Sequence, residues 1–310
     1  MVSQRVAPTL AEPQESPAFV SLFRREVKLT WRMIGNNLAI GLLPTISFAV
    51  AAGLRAGLPN TAVLIAAAKA VVIGVLFAYI YDVIGQAHSG EEDSLNKPHR
   101  PIPAGLATVD GLMVRSLVVL SIFPILVWLL DVWPMVLFWP LCALAHARWL
   151  PPRFYIGWKL ISNGAYPVLA IGTGWQLSAK FDPVVWPWIG VMSIYFTLAF
   201  IFEDVRDIDG DRAAGRKTLV MLLGDRFVRI WFAVLMILLP AVYFFVLAKF
   251  SGADAWLSIT CTAVIGVLGW ICAIRAVVHV GAAAARNTYK LFCLTWGVTM
   301  ISAPALLAPI

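Results

Sequence analysis

The residues with the clearest capacity for chemistry lie between positions 203 and 217, directly after a long apolar run. On a helix, which turns by about 100° per residue, Asp204, Asp207 and Asp211 share one face and Asp209 falls off it. Three carboxylates on one face repel each other unless a cation lies among them. Carboxylate oxygens suit Mg²⁺, which completes its coordination shell with water and phosphate oxygens. We therefore predict a magnesium site here, with Asp204, Asp207 and Asp211 as metal ligands.

Basic residues follow this acidic face immediately. Three cationic residues follow Asp211 within six positions: Arg212, Arg216 and Lys217. The planar guanidinium group of arginine matches the oxygen geometry of phosphate, and lysine adds a compact positive charge. Carboxylates followed by these three predicted phosphate-binding cations indicate a magnesium–diphosphate site at the end of a membrane helix.

Another acidic stretch, residues 82–105, begins at Asp82 while the sequence is still apolar. In chain order it is called the first stretch, and residues 203–217 are called the second. A carboxylate within a membrane span is costly and marks a functional site by default. Taken alone, a charged connection of this kind is usually solvated, and Asp82 could instead pair with a lysine. Together with residues 203–217 on the same side of the membrane, it indicates a shared site. The predicted metal ligands are Asp82, Glu92 and Asp93, and the predicted diphosphate donors are Asn96, Lys97 and Arg100.

The elements that must position these residues are membrane helices. The chain is 60% hydrophobic and 13% charged, with a mean hydropathy of +0.82, whereas soluble domains are about 45–50% apolar and about 25% charged. Apolar runs near the ~20 residues needed to cross a bilayer predict an all-α, polytopic membrane protein with nine transmembrane helices in a bundle around a central cavity. The predicted spans are residues 33–53, 61–85, 110–130, 132–148, 160–178, 184–203, 227–249, 255–276 and 289–309.

The chain divides into a tail and one domain. Residues 1–32 are predicted to form a cytoplasmic tail with a basic amphipathic segment, Phe19 to Arg32, and residues 33–310 a single transmembrane domain. With the N-terminus in the cytoplasm, 20 of the 24 Lys and Arg residues lie on the inner side and 3 on the outer side. This asymmetry follows the positive-inside rule and places both acidic stretches in the cytoplasm. It also explains the pI near 9.4 without a nucleic-acid partner, and no obligate protein partner is evident.

Together, the two stretches resemble the motifs of the UbiA superfamily of membrane prenyltransferases. In the second stretch, Asp204, Asp207 and Asp211, followed by Gly215, are close to the family pattern. The resemblance implies nine transmembrane helices and two Asp-rich motifs at cytoplasmic helix ends. It also implies Mg²⁺ as the cofactor, with a prenyl diphosphate and the lipid bilayer as the partners.

The first stretch departs from the usual family pattern, Asn-Asp-x-x-Asp-x-x-x-Asp. Asp82 matches, but Tyr81 replaces the Asn, and Gly85 and Ser89 occupy the positions of the later Asp residues. Acidic residues return only at positions 91–93, the first of them nine positions after Asp82. This arrangement resembles the UbiA-type terpene cyclases, which ionise a linear prenyl diphosphate and close it on itself. The residues to which the resemblance gives a catalytic role are Tyr81, Asp82, Asp207 and Asp211.

Three functions stay open at this point. The favoured one is a class I-type terpene cyclase, a carbon–oxygen lyase that acts on a linear prenyl diphosphate, with farnesyl diphosphate as the first expectation. The second is a UbiA-type prenyltransferase that moves a prenyl group onto an aromatic or quinol acceptor. The third is a transporter, but transporters place their binding charges near the bilayer midplane, whereas these acids cluster at helix ends.

Cyclisation further requires a dry, ring-lined interior, because water quenches a carbocation and each ring face attracts a carbocation by about 0.5–2 kcal/mol.

Overall fold

The structure is a computed structural model that describes residues 18–132, 134–149 and 151–308. Residues 1–17 of the predicted tail lie outside this part. All regular elements of the described residues are helices, as the apolar runs predicted. In chain order they are α1 (Ala18–Ile34), α2 (Leu38–Arg55), α3 (Asn60–His88), α4 (Gly90–Asn96), α5 (Val109–Leu129), α6 (Met135–Ala147), α7 (Tyr155–Gln176), α8 (Pro183–Ala213), α9 (Leu219–Leu223), α10 (Asp225–Ala248), α11 (Ala255–Val278) and α12 (Ala282–Leu307).

Seven helices in the described part of the chain are long and apolar enough to cross a membrane: α2, α3, α5, α8, α10, α11 and α12. The two remaining predicted spans correspond to α6, which is shorter, and to α7, which has 22 residues but falls outside this group. The prediction of an all-helical membrane protein is confirmed. The count of nine transmembrane helices stays a prediction.

Two helix boundaries differ from the predicted spans, and both differences bear on the site. α7 begins at Tyr155, five residues before its predicted start, so Tyr155 and Lys159 lie on a helix. α8 runs past its predicted end at residue 203, and its last ten residues, Asp204–Ala213, form a regular α-helix. The second acidic stretch is therefore the final part of a membrane helix. Within the first stretch, the charged connection after α3 contains the short helix α4.

α2 packs closely against α3 and α7, and also against α12. A Cβ atom added at Gly41 of α2 would lie 2.5 Å from the carbonyl oxygen of Gly74 on α3. One added at Gly174 of α7 would lie 2.4 Å from the carbonyl oxygen of Thr45 on α2. Such approaches exclude a side chain, and small residues at helix crossings are typical of membrane bundles. This packing fixes α2, α3 and α7 relative to one another.

The two ends of the bundle carry different groups. At one end, Arg55 closes α2, donating from Nε to Oδ2 of Asp182 at 2.8 Å and from Nη1 to the carbonyl oxygen of Leu307 at 3.4 Å. At the other end, the start of α2 meets the end of α3, and α4 packs against the end of α8. Both acidic stretches therefore lie at the same end of the bundle.

Candidate active site

A cavity of about 230 Å³ opens at the end of the bundle that carries both acidic stretches. Its mouth is charged and its inner part is lined mainly by rings and apolar groups. The two stretches thus share one chamber although about 100 residues separate them in the sequence. The carboxylates that line it are Asp82, Glu92, Glu203, Asp207 and Asp211, and the Lys and Arg residues are Lys97, Arg100, Lys159 and Arg216.

The helical face predicted for the second stretch is present in the structure. Asp204, Asp207 and Asp211 are buried, whereas the side chain of Asp209 is 90% exposed. Asp207 and Asp211, one turn apart on α8, line the cavity. Asp204 lies at the edge of this face, where it pairs with the ammonium group of Lys159, and it does not line the cavity. The structure thus separates Asp204 from the other two, and its role as a metal ligand stays a prediction.

Two cationic side chains neutralise the beginning of this face. Lys159 of α7 places Nζ 3.2 Å from Oε2 of Glu203. Arg206 places Nη2 2.7 Å from Oε1 of Glu203 and Nε 3.3 Å from Oδ2 of Asp207, and its guanidinium lies 4.1 Å from the ring centroid of Tyr289. The carboxylates are therefore compensated by cations before any ligand binds.

In the first stretch, Asp82 is held at the mouth by groups from two directions. Asn37, just before α2, donates from Nδ2 to both carboxylate oxygens of Asp82, at 2.8 and 3.1 Å. Arg100 lies 3.6 Å away through Nη2 and donates from Nη1 to both oxygens of Asp93, at 2.7 and 3.0 Å. Asp93 also accepts from Ser89 Oγ at 2.7 Å and does not line the cavity. In this structure Asp93 orients Arg100, and its role as a metal ligand stays a prediction.

Arg216 joins the two stretches directly. Its Nη1 lies 2.5 Å from Oε2 of Glu92 and 3.1 Å from Oδ1 of Asp211, and its guanidinium lies 4.9 Å from the ring centroid of Tyr155. Burial acts to lower the pKa of Arg216, but the facing carboxylate of Glu92, with Tyr155 and Asp211, raises it above its ordinary value. This side chain is therefore a fixed positive charge at the mouth.

Asn96 forms a second bridge, to backbone atoms of α8. Its Nδ2 donates to the carbonyl oxygen of Asp207 at 3.1 Å, and its Oδ1 accepts from the N–H of Gly210 at 3.3 Å. A Cβ atom at Gly210 would lie 2.2 Å from Asn96 Nδ2, so only glycine permits this approach. Asn96 was predicted to bind diphosphate. In the structure both ends of its amide bind α8 and Asn96 does not line the cavity, so its contact with diphosphate stays a prediction.

Arg212 and Lys217 do not line the cavity, and their contact with diphosphate stays a prediction. The chain leaves α8 and turns at Gly215, whose φ of +66° lies in the left-handed region. The side chain of Arg212 is 71% exposed and faces Asp209 at 3.9 Å, and Lys217 is exposed. Of these three predicted diphosphate ligands, Arg216 lines the chamber.

Below the charged mouth, aromatic rings form much of the wall. Tyr81 stacks on Trp139 with ring centroids 5.2 Å apart, and on His146 at 5.7 Å. On α12, Tyr289 and Trp296 both line the cavity, and seven residues of helix separate them by about 10 Å. The chamber therefore extends roughly two turns into the bundle. The Phe, Tyr and Trp rings that line it are Phe77, Tyr81, Trp139, Tyr155, Tyr166, Phe200, Tyr289 and Trp296.

The carboxylates at the mouth fit a magnesium ion that arrives with a phosphate ligand. Within the described ranges, no three His, Cys, Asp or Glu side chains are grouped closely enough to hold a metal by themselves. Mg²⁺ needs only one or two carboxylates when substrate phosphates supply other ligands. Oδ2 of Asp211 is buried and has no hydrogen-bond partner among the residues that the structure describes. Burying such a group unpaired costs at least about 1–3 kcal/mol, which a cation beside it would offset.

Two charged cavity residues were not among the predicted site residues. Glu203 lies four residues before Asp207, so it shares the face of Asp207 on an ideal helix, and in the structure it lines the cavity. Lys159 was assigned only to the positive cytoplasmic side. A usable signal was present, because a tyrosine lies one helical turn before this lysine at the membrane boundary.

Comparison with known proteins places the chain in a family. The profile of the UbiA prenyltransferase family matches residues 42–297. A somaliensene A/B synthase of Streptomyces somaliensis is 32% identical over 268 residues, which cover 86% of this chain and 89% of that protein. A polyprenyl transferase of Hericium erinaceus is 29% identical over 231 residues, covering 73% of this chain and 77% of that protein.

Solved structures share the fold. A UbiA homologue from Archaeoglobus fulgidus, bound to DMAPP and Mg²⁺, superposes with a TM-score of 0.61 at 13% identity and covers 91% of this chain and 100% of that chain. The helical architecture is therefore that of a known polytopic membrane fold. Because the family profile also spans most of the sequence, this integral membrane protein belongs to the UbiA prenyltransferase family.

Proposed function

We propose that this protein is a membrane-embedded terpene cyclase. It ionises a linear prenyl diphosphate, with farnesyl diphosphate as the first candidate, releases diphosphate and closes the carbocation into a ring. The ring cation then loses a proton to give a hydrocarbon, or takes up water and loses a proton to give an alcohol. The observation that carries the proposal is a single cavity whose charged mouth belongs to both acidic stretches and whose interior is lined by rings. These two parts meet the two needs of the reaction, which are a stabilised leaving group and a dry cavity for the cation.

At the mouth, the chain binds and orients the diphosphate. Arg100 and Arg216 are held in place by Asp93 and Glu92, so their positive charges are in position before the reaction begins. Lys97 lies 3.8 Å from Glu92 and is free to add a further contact. When bound, Mg²⁺ would stabilise the negative charge that develops on the leaving diphosphate. The carboxylates proposed to hold it are Asp82, Glu92, Asp207 and Asp211.

Inside the chamber, ring faces stabilise the cation and exclude water. Tyr81 directly precedes Asp82, and its ring lies against Trp139 just below the mouth, where the cation forms. Each ring face contributes about 0.5–2 kcal/mol of attraction to a cation. Trp296 and Tyr166 line the deeper part of the chamber. A chain longer than the roughly 10 Å of depth must fold back on itself, which brings a distal double bond toward the cation.

Two observations support cyclisation over prenyl transfer. The first stretch has the spacing of the cyclase-like pattern, and the Streptomyces somaliensis synthase is similar over 86% of the chain. The similarity to the Hericium erinaceus polyprenyl transferase supports transfer to an aromatic or quinol acceptor as the second candidate. A transporter has less support, because the charges gather at one end of the bundle.

The test is turnover without an acceptor. The full chain in lipid nanodiscs is incubated with Mg²⁺ and either farnesyl or geranylgeranyl diphosphate, and products are identified by gas chromatography and mass spectrometry. A cyclic hydrocarbon or terpene alcohol, lost when the metal is chelated, supports the proposal. Turnover that occurs only with an added phenol or quinol, giving its C-prenylated product, contradicts it and assigns a prenyltransferase.

The proposal includes an orientation with the N-terminus and the mouth of the cavity in the cytoplasm. The distribution of 20 inner and 3 outer Lys and Arg residues supports it. Lys180→Cys and Asp209→Cys place exposed thiols near opposite ends of the bundle. In intact cells, an impermeant maleimide should label Lys180→Cys alone. Labelling of Asp209→Cys before permeabilisation would reverse the orientation.

A further inference from the structure

Helix α1 presents an apolar stripe that the proposed reaction does not use. Phe19, Phe23, Val27 and Trp31 recur every four residues, and each is between 53% and 77% exposed. Successive members are rotated by only about 40° on a helix, so they form one slowly turning stripe. Exposed aromatic and aliphatic side chains in such a stripe indicate a surface that another apolar phase covers.

Beside this stripe, α1 carries positive charge. Arg24, Arg25 and Lys28 are exposed, and Arg32 is half-buried. The one acidic residue of the helix, Glu26, is neutralised by Arg115 of α5, whose Nη2 lies 2.5 Å from Glu26 Oε2. The helix therefore exposes adjoining apolar and cationic faces.

The remaining face of α1 holds the helix on the bundle. Leu29 and Met33 are 6% and 2% exposed, and the carbonyl oxygen of Met33 accepts from Gln86 Nε2 at 2.8 Å. Near Arg115, the first turns of α5 expose Val114 and Leu117, which are 60% and 63% exposed. The apolar stripe of α1 thus lies close to a lipid-facing surface of a membrane helix.

We infer that α1 docks on an anionic phospholipid leaflet. Helices with adjoining apolar and cationic faces lie in the membrane interface, with the apolar face at the acyl boundary. The cationic face then meets anionic headgroups, each Lys or Arg adding to the affinity. A second copy of this chain is disfavoured as the occupant, because it would bring the same positive charges together.

Docking on the leaflet also steadies the first acidic stretch. Asn37 lies three residues after the end of α1 and donates to both oxygens of Asp82. Gln86, one turn beyond Asp82 on α3, holds the last turn of α1 through Met33. An anionic leaflet therefore steadies the mouth of the cavity through α1. This coupling between the lipid and the mouth rests on the proposed function, whereas the docking of α1 on the leaflet does not.

Hydrogen exchange of the full chain in nanodiscs tests the docking. We compare discs of phosphatidylcholine alone with discs that also contain phosphatidylglycerol. Backbone amides of α1 should exchange at least about tenfold more slowly with the anionic lipid, whereas those of α11 should not change. Raising the ionic strength should reduce the difference in α1 exchange between the two lipids, because salt screens the attraction between the cationic side chains and the headgroups. R24Q/R25Q should abolish the difference, and the matched variant R226Q/K290Q, which removes two exposed cations elsewhere, should keep it.

Equal exchange of α1 in the two lipids, or an undiminished difference in R24Q/R25Q, would overturn the docking. Protection that appears only with two protein copies per disc would assign the surface to a second copy and would also overturn it. For the coupling, kcat/KM should be higher in anionic discs for the native chain and equal in both lipids for R24Q/R25Q. If the enzyme is inactive in every disc while exchange still depends on lipid, the docking stands and the proposed function fails.

Discussion

The two acidic stretches meet at one mouth but are built in different ways. The second lies on the continuous helix α8, whose regular turns place Asp207 and Asp211 side by side. The first is divided at Ser89 between α3 and α4, and Arg100 holds its carboxylates from beyond the second of these helices. A rigid helix thus sets one half of the mouth through its own geometry, whereas the other half depends on side chains that tie separate segments together.

This difference predicts how each half responds to substitution. Loss of a carboxylate on α8 removes a group already in its working position. Loss of a tie in the first stretch, such as Asp93 or Asn96, instead changes how other groups are held. The first kind of change should act on the chemical step, and the second on substrate binding or on stability.

The largest effect is expected for Asp207→Ala. Removing a positioned carboxylate from the site that stabilises developing charge should lower kcat/KM by about 100- to 1,000-fold or more. The matched control is Asp209→Ala on the same helix, whose exposed side chain should leave activity within about twofold. Both are measured as diphosphate release from farnesyl diphosphate. Native activity in Asp207→Ala, or an equal loss in the control, would remove the role given to this helical face.

A pair of substitutions in the first stretch separates chemistry from binding. Asp82→Asn should lower kcat by about 100-fold, because its carboxylate lines the mouth. Asp93→Asn should mainly raise KM, by about tenfold, because Arg100 loses a charged partner and its orientation. Steady-state kinetics of the two variants make the comparison. If Asp93→Asn lowers kcat as strongly as Asp82→Asn with an unchanged KM, Asp93 acts in the chemistry itself.

The bridge between the halves is tested with two arginines. Arg216→Ala should lower kcat/KM by about 10- to 100-fold, because it removes a fixed charge that contacts both Glu92 and Asp211. Arg212→Ala, four residues earlier and exposed, should stay within about twofold. The same diphosphate assay measures both. Equal losses would mean that proximity in sequence, and not position at the mouth, decides the effect.

A smaller effect, on stability, is expected where α4 meets α8. Gly210→Ala should destabilise the fold by about 1–3 kcal/mol, because its Cβ would overlap the amide of Asn96. Asn96→Ala should cost about 1 kcal/mol through its lost hydrogen bonds. Together they should cost less than the sum, since the second change relieves the overlap. Thermal unfolding of the two single variants and the double variant gives the double-mutant cycle. Strictly additive losses of stability would show that the two side chains are not in steric contact.

The smallest effect on rate is expected deep in the chamber. Trp296→Phe keeps a ring but removes volume and the buried indole N–H, which has no partner among the described residues. The folded substrate then gains room, so the ratio of cyclic products should shift while kcat/KM changes by less than about tenfold. Product analysis by gas chromatography measures this. An identical product ratio would indicate that the chain does not reach Trp296.

Sequence spacing predicted the part of the site that lies on a regular helix. The four-residue spacing of Asp207 and Asp211 predicted that they share one helical face, and both are buried. The same periodicity predicted that Asp209 lies off this face, and it is exposed. Spacing was less informative at the two ends of the stretch. Glu203, one turn before Asp207, lines the cavity without having been predicted as a ligand, and Lys217, which follows the turn at Gly215, is exposed.

Contacts between distant segments could not be predicted from spacing. Lys159 pairs with Asp204, 45 residues away, and Asn96 binds the backbone of Asp207, 111 residues away. Nothing in either local sequence specifies these partners, because they depend on how α7 and α4 pack against α8. The lengths of the apolar runs and the distribution of charge were enough to predict the helical membrane fold. They were not enough to predict which polar side chains face the cavity.

One diphosphate is expected to bind between the two acidic stretches, and an experimental structure with Mg²⁺ and the non-ionisable analogue farnesyl thiolodiphosphate tests this most directly. We expect metal-bound diphosphate oxygens between Asp82 of α3 and the pair Asp207 and Asp211 of α8, with the prenyl chain folded among the rings below. A diphosphate bound by one stretch alone, or at the end of the bundle that carries Arg55, would contradict it.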